Sequence, residues 1–157
     1  MFSIGDKIVY PMHGAGIIVD IEERKILGES HKYYVVLISI SDMKVMLPVD
    51  NTDVIGIRSI ASHSVADDAI EFFHSCTEDL NDNWNKRYRD NMEKLKSGNI
   101  LDVAMVAKTL SLRDKKKSLS NAERKMLSNA KNIFLSELVL AKGQSIDEIK
   151  KLLLLEE

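Results

Sequence analysis

The stretch NDNWNKRYRDN, residues 81–91, places the chain's one tryptophan, Trp84, directly before Lys86, Arg87 and Arg89. A large flat ring beside guanidinium and ammonium groups suits an anionic polymer. Cations neutralise phosphates, and the ring packs on sugar or on base edges. The same ring could instead anchor a core while the cations reach water. On a helix at about 100° per residue, Trp84, Tyr88, Met92 and Leu95 fall within an arc of about 80°. That stripe is the case for a core tryptophan. Its place in the first helical turn, after three polar residues, is the case for an exposed one.

Other clusters carry less chemistry. YPMHGAG (10–16) holds two glycines and His13 but lacks the spacing of a phosphate loop, so Gly14 and Gly16 read as turn or close-packing residues. Glu22–Glu23 and Asp67–Asp68 are neighbours on solvent faces, which does not make a general acid and base. The four histidines form no close ligand pairs, so neither a metal nor another cofactor is expected. No catalytic residue is assigned, and an enzyme is the weakest class.

Charge is segregated along the chain. The total is −2, yet residues 62–83 carry no base and 6 acids, and residues 84–131 carry 13 bases and 5 acids. One cysteine, Cys76, excludes an intramolecular disulfide and fits a reducing compartment. No basic, then apolar, leader opens the chain, and LLLL (152–155) is too short for a bilayer. A cytoplasmic protein with no membrane partner is expected.

The elements that must position Trp84 fall into two grammars. Residues 1–60 read as about four or five strands. Ile17, Val19 and Ile21 alternate with other residues, YYVVLISI (33–40) is β-branched and aromatic, GES (28–30) is a hairpin connection, and Pro48 should end a strand over 42–49. GDKIVYP opens the sheet, and VIGIRSI (54–60) could close it. This pattern suits a small SH3-like or Tudor-like barrel. From residue 62 onward about five helices are expected. Ser64 is the expected cap of the first, with Asp67 and Asp68 in its first turn. Gly98 ends the Trp84 helix. The next starts at Asn99, with Leu101, Met105 and Leu112 near one face. SNAE (120–123) and SIDE (145–148) read as capping boxes, and RDKKK (113–117) as a solvated loop. The fold class is α+β: an antiparallel barrel domain over 1–60 and a helical domain over 62–157.

FSIGDKIVYPMHGAGIIVDIEERKILGE, YYVV, LPVDNTDVIGIR, NWNKRYRDNMEKLKSGN and LSNAERKML occur in that order. Together they resemble the CarD/CdnL family of bacterial RNA polymerase-binding transcription regulators. The amino-terminal part is also similar to the polymerase-interacting module of transcription-repair coupling factor, which lacks the helical half. The resemblance implies that the barrel binds the polymerase β subunit, with Arg24 as a contact. Where the family often carries a second basic residue, this chain has Met46, a departure that points to a less acidic partner surface. It implies promoter DNA contacts by Trp84, Lys86, Arg87 and Arg89. Because the +8 of residues 84–131 is offset by −6 just upstream, that binding is expected to be weak and not sequence-specific, and a monomer is expected. Two other readings stay open on the residues alone: an RNA- or ribosome-associated factor, and a protein–protein scaffold with Trp84 buried.

Overall fold

The computed structural model describes residues 2–77 and 81–154. Strands β1 (Lys7–Tyr10), β2 (Gly14–Ile26), β3 (Glu29–Ile38), β4 (Lys44–Pro48) and β5 (Arg58–Ser59) form one antiparallel sheet in the order β4-β3-β2-β1-β5. A 3₁₀ turn (Val49–Asn51) and a short helix α1 (Thr52–Ile55) lie between β4 and β5. Pro48 ends the edge strand, where its missing N–H costs no ladder bond.

The β2–β3 turn differs from the GES expectation by one residue. Leu27 and Gly28 form it, at φ 52° and 81°, while Glu29 and Ser30 already pair in β3. A two-residue type I′ hairpin, whose twist matches that of the strands, has positive φ at both centres, so the turn closes on the residue pair that includes the glycine. The Ile17/Val19/Ile21 alternation also fails as a guide to the core. Ile18, fully buried and paired with Val36, and not Ile17, faces Tyr34, Ile8 and Leu47; a bulge between Ile18 and Asp20 then shifts the phase, so that Ile17 and Ile21 lie on opposite faces.

The helices are α2 (His63–Ser75), α3 (Trp84–Ser97), α4 (Ile100–Lys116), α5 (Asn121–Lys142) and α6 (Ile146–Leu153). Ser62, not Ser64, caps α2 by accepting from the Val65 N–H, so Asp67 and Asp68 sit beyond the first turn. Asn83, Asn99, Ser120 and Ser145 cap the others, and Gly98 and Gly143 end α3 and α5 in the left-handed region. SIDE forms the full capping box. RDKKK is the last turn of α4, where its cations suit the helix dipole, with only Lys117 outside the helix. The buried stripe of α4 is Ile100, Val103, Ala104, Ala107 and Leu110. Leu101 is 41% exposed, because α2, α3 and α5 pack on the other side of the helix from the expected Leu101/Met105/Leu112 face.

Sheet and helices meet along a polar seam. The Glu137 carboxylate of α5, buried, accepts from Arg58 Nη2 and Nη1 at 2.7 Å each and from the Ala61 N–H at 2.8 Å. Arg58 also donates to the Gly98 carbonyl at 2.8 and 2.6 Å. Beside it the Ser136 hydroxyl accepts the Ala15 N–H at 2.8 Å, and Ser39 donates to the Ser136 carbonyl at 2.7 Å. Gly14 permits this approach: a Cβ there, at φ 112°, would stand 2.9 Å from Ser136 Oγ. A Cβ on Gly98 would stand 3.0 Å from Pro11, so the β1–β2 corner rests on the α3–α4 junction.

Removing one partner of a buried ion pair leaves the other uncompensated. Arg58 is 31% exposed, so Glu137→Ala is expected to cost about 2–4 kcal/mol, below the cost of breaking a fully buried pair. Thermal or urea unfolding checks this; a loss under about 0.5 kcal/mol, the range of an ordinary surface change, would show the seam to be energetically idle.

Candidate nucleic-acid interface

Helix α3 begins where its polar prefix requires. Asn81 accepts the Asn83 N–H, and Asn83 accepts the Lys86 N–H, so the helix is capped one residue before Trp84. In this first turn no earlier helical turn covers the ring. Trp84 is 41% exposed, despite lying on the apolar stripe with Tyr88 and Leu95. The reading that buries it in a core is not met.

The ring is nevertheless held. It stacks on Tyr88 with centroids 5.0 Å apart and planes at 16°, and its Nε1–H donates to Ser120 Oγ at 3.1 Å. Ser120 is also the cap of α5, accepting the Glu123 N–H at 3.2 Å. Trp84 therefore lies against the start of α5, whose next cations, Arg124 and Lys125, are exposed. Arg124 donates to Ser118 at 2.6 Å in the preceding loop. Neither Tyr88 nor Ser120 stood out in the sequence as a site residue. The charge block 84–131 was the one signal for Arg124 and Lys125.

Arg87 departs from its expected role as a DNA contact. It is 4% exposed, and its Nε and Nη2 donate to the two Glu123 oxygens at 2.7 and 2.8 Å. Nη1 donates to the carbonyls of Asn81 and Asp82. The Glu123 carboxylate raises the guanidinium's pKa further above its ordinary value, so the buried group stays charged. No phosphate can reach a group so enclosed. Glu123 in turn does not complete the expected SNAE box: its carboxylate is spent on Arg87, and only the Ser120 half forms. Lys86 and Arg89 are exposed, with Lys86 3.6 Å from Asp90. They lie about 140–200° around α3 from Trp84. The structure thus groups Trp84 with Tyr88 and Ser120, and leaves Lys86 and Arg89 on a separate flank of the helix.

In the sheet, Arg24 is exposed on β2 and donates to Glu22 at 3.2 Å. Met46 is half-buried on β4. Arg24 pairs across to His31, and Met46 to Val35. His31 and Val35 are four apart on β3, so Arg24 and Met46 share one face, offset by about 13 Å along the strands. That face is opposite the one that buries Tyr34, Val36 and Leu47. His13 is exposed, with its ring 4.3 Å from Tyr10. Among the described residues no group of acids, histidines or cysteine is placed to hold a metal, and no helix is long and apolar enough to cross a membrane.

The burial difference within one helix is testable. Arg87→Ala is expected to cost about 3–5 kcal/mol of stability, whereas Lys86→Ala and Arg89→Ala stay within about 0.5 kcal/mol. Denaturant unfolding of the three variants decides; an Arg87→Ala protein as stable as its neighbours would place Arg87 on the surface.

Residues 2–61 match the family model described as CarD-like/TRCF RID domain, and residues 68–154 match that described as CarD, C-terminal domain. The chain is 41% identical over 150 residues to a Bacillus subtilis (strain 168) protein named "Putative transcription factor YdeB", an alignment that covers 96% of this chain and 98% of that protein. Matched along both its sheet and its helices, and by a relative of nearly its own length, the chain belongs to the CarD-like family.

Proposed function

We propose that this protein is a non-enzymatic transcription factor that docks on bacterial RNA polymerase and stabilises the opened promoter. The family assignment and the relative's name support a role in transcription. The observation that carries the finer reading is Trp84: a large ring, 41% exposed, held by a stack and a hydrogen bond at the most basic part of the chain.

Residues 1–60 act as the docking domain and residues 62–157 as the DNA-contacting domain. The sheet face with Arg24 and Met46 meets the β subunit. Docking raises the local concentration of the helical part at the promoter. Trp84 then packs against the minor groove at the upstream edge of the opened duplex. A state that accepts this ring gains binding energy that the closed duplex does not supply, so the open state gains population. With Arg87 committed to Glu123, the phosphate contacts fall to exposed cations, Lys86 and Arg89 on α3 and Arg124 and Lys125 near the start of α5. Few such contacts release few counterions. Binding to free DNA should be weak, with a log–log salt slope of only a few units.

Two substitutions separate the halves of this reading. Trp84→Ala should cost about 1 kcal/mol of stability, well short of the ~3–5 for a core tryptophan, and leave β binding intact. It should shorten the open-complex lifetime in a heparin challenge by about tenfold or more, since the distorted step costs about a few kcal/mol to unstack. An unchanged lifetime would remove the DNA role. Arg24→Glu should weaken binding to the isolated β subunit by about 2 kcal/mol or more, and wild-type affinity would move the docking contact elsewhere.

A further inference from the structure

We infer that Ser120 is a positioning residue for Trp84. Its hydroxyl sets the plane of the indole before any partner arrives. The inference rests on the proposed action of Trp84 on promoter DNA, and it assigns to a second residue the orientation of that ring.

An exposed first-turn side chain is ordinarily free to change rotamer. Trp84 is restrained at two points that do not lie in one line. Tyr88, one turn along α3, supports the face of the ring, with centroids at 5.0 Å. That contact fixes the height of the indole but allows it to slide and rotate in its own plane. The 3.1 Å bond from Nε1 to Ser120 Oγ pins the pyrrole edge and removes the rotation. Ser120 itself cannot drift, because the same oxygen accepts the Glu123 N–H at 3.2 Å as the cap of α5. The start of α5 is in turn fixed to α3 by Glu123 and Arg87, at 2.7 and 2.8 Å. The restraint on the ring thus closes a loop of contacts: Trp84 to Ser120, Ser120 to Glu123, Glu123 to Arg87, and Arg87 back to the turn that carries Trp84.

Two consequences follow. The ring loses little rotamer entropy when it meets its target, since the folded protein has already restricted it; pre-organisation of this kind raises affinity by lowering the ordering cost. The one polar atom of the indole is also engaged within the protein. The free edge of Trp84 therefore presents carbon alone, and it can fill a widened step without reading base acceptors. This accounts for a contact that discriminates by shape and deformability, not by hydrogen bonding.

The single tryptophan makes the test direct, because emission and anisotropy report only Trp84. In the full-length protein without DNA, Ser120→Ala should lower the steady-state anisotropy and shift the emission to the red, while Ser120→Thr, which keeps the hydroxyl, should behave as wild type. With polymerase and promoter, Ser120→Ala should shorten the open-complex lifetime about two- to tenfold, the range of one net hydrogen bond, and Ser120→Thr should restore it. In a Trp84→Phe background, which keeps a ring but has no N–H, Ser120→Ala should shorten the lifetime no further. Ser145→Ala removes a helix cap far from the ring and should change neither readout, which separates positioning from loss of capping. Unchanged anisotropy in Ser120→Ala, or equal loss in the Ala and Thr variants, overturns the assignment. Lowered anisotropy with an unchanged lifetime overturns the positioning role while leaving the contact. If Trp84→Ala itself leaves the lifetime unchanged, the reading of Trp84 as a DNA contact fails, and the anisotropy still decides whether Ser120 holds the ring.

Discussion

A carboxylate on the interior side of a long helix must be satisfied, and the way Glu137 is satisfied sets the shape of this protein. Left alone in an apolar surround, its charge would cost several kcal/mol. It is met by a bidentate guanidinium from β5 and an N–H from the segment that leaves the sheet. Arg58 also donates from Nε and Nη2 to the carbonyl of Gly98, the residue that ends α3, and from Nη1 to the carbonyl of Ser59. Sheet, α3 and α5 are thereby tied at one point. Two planar groups in fork-to-fork contact tolerate little sliding, so the tie fixes orientation as well as distance. The Gly14–Ser136 and Pro11–Gly98 contacts follow the same line with close packing.

The second buried pair repeats this logic inside the helical part. Arg87 and Glu123 are 36 residues apart in the chain and join the first turn of α3 to the first turn of α5. Buried pairs are poor sources of net stability, because desolvation offsets much of the attraction. Their value lies in geometry: an alternative packing would strand a charge. Here the geometry concerns Trp84, whose neighbours on both helices are set by that pair. An exposed ring in a fixed orientation at the end of a fixed linkage can act on a distant partner without a moving part.

Local signals in the sequence were legible, and pairings across the chain were not. Asn83, Asn99, Ser145, Gly98 and Gly143 mark helix ends by the chemistry of caps, which depends on neighbours one turn away. The exposure of Trp84 could be read from its place in a first turn behind polar residues. Arg87 could not be told from Lys86, since a cation beside an aromatic stripe reads the same whether its carboxylate lies 36 residues ahead or a phosphate lies outside. Glu123 shows why: serine three residues before glutamate is a capping box by pattern, yet the carboxylate has a stronger charged partner in Arg87 and leaves the box half formed. The phase of β2 was hidden for a different reason. A single extra residue at Val19 inverts the alternation, and nothing in the side chains announces a bulge. Ser62 and Ser64 are two equivalent caps by type, and the choice between them is made by where Ala66, Ala69 and Phe73 must point.

If docking through the sheet delivers Trp84 to promoter DNA, the ring must lie against DNA in the assembled complex. A photoreactive phenylalanine analogue at position 84, irradiated in the assembled complex of polymerase and promoter, tests it most directly. A crosslink to DNA at the upstream edge of the opened segment is expected, present only with polymerase and lost with Arg24→Glu. Crosslinks to polymerase subunits alone, or to DNA at random positions without polymerase, would contradict it.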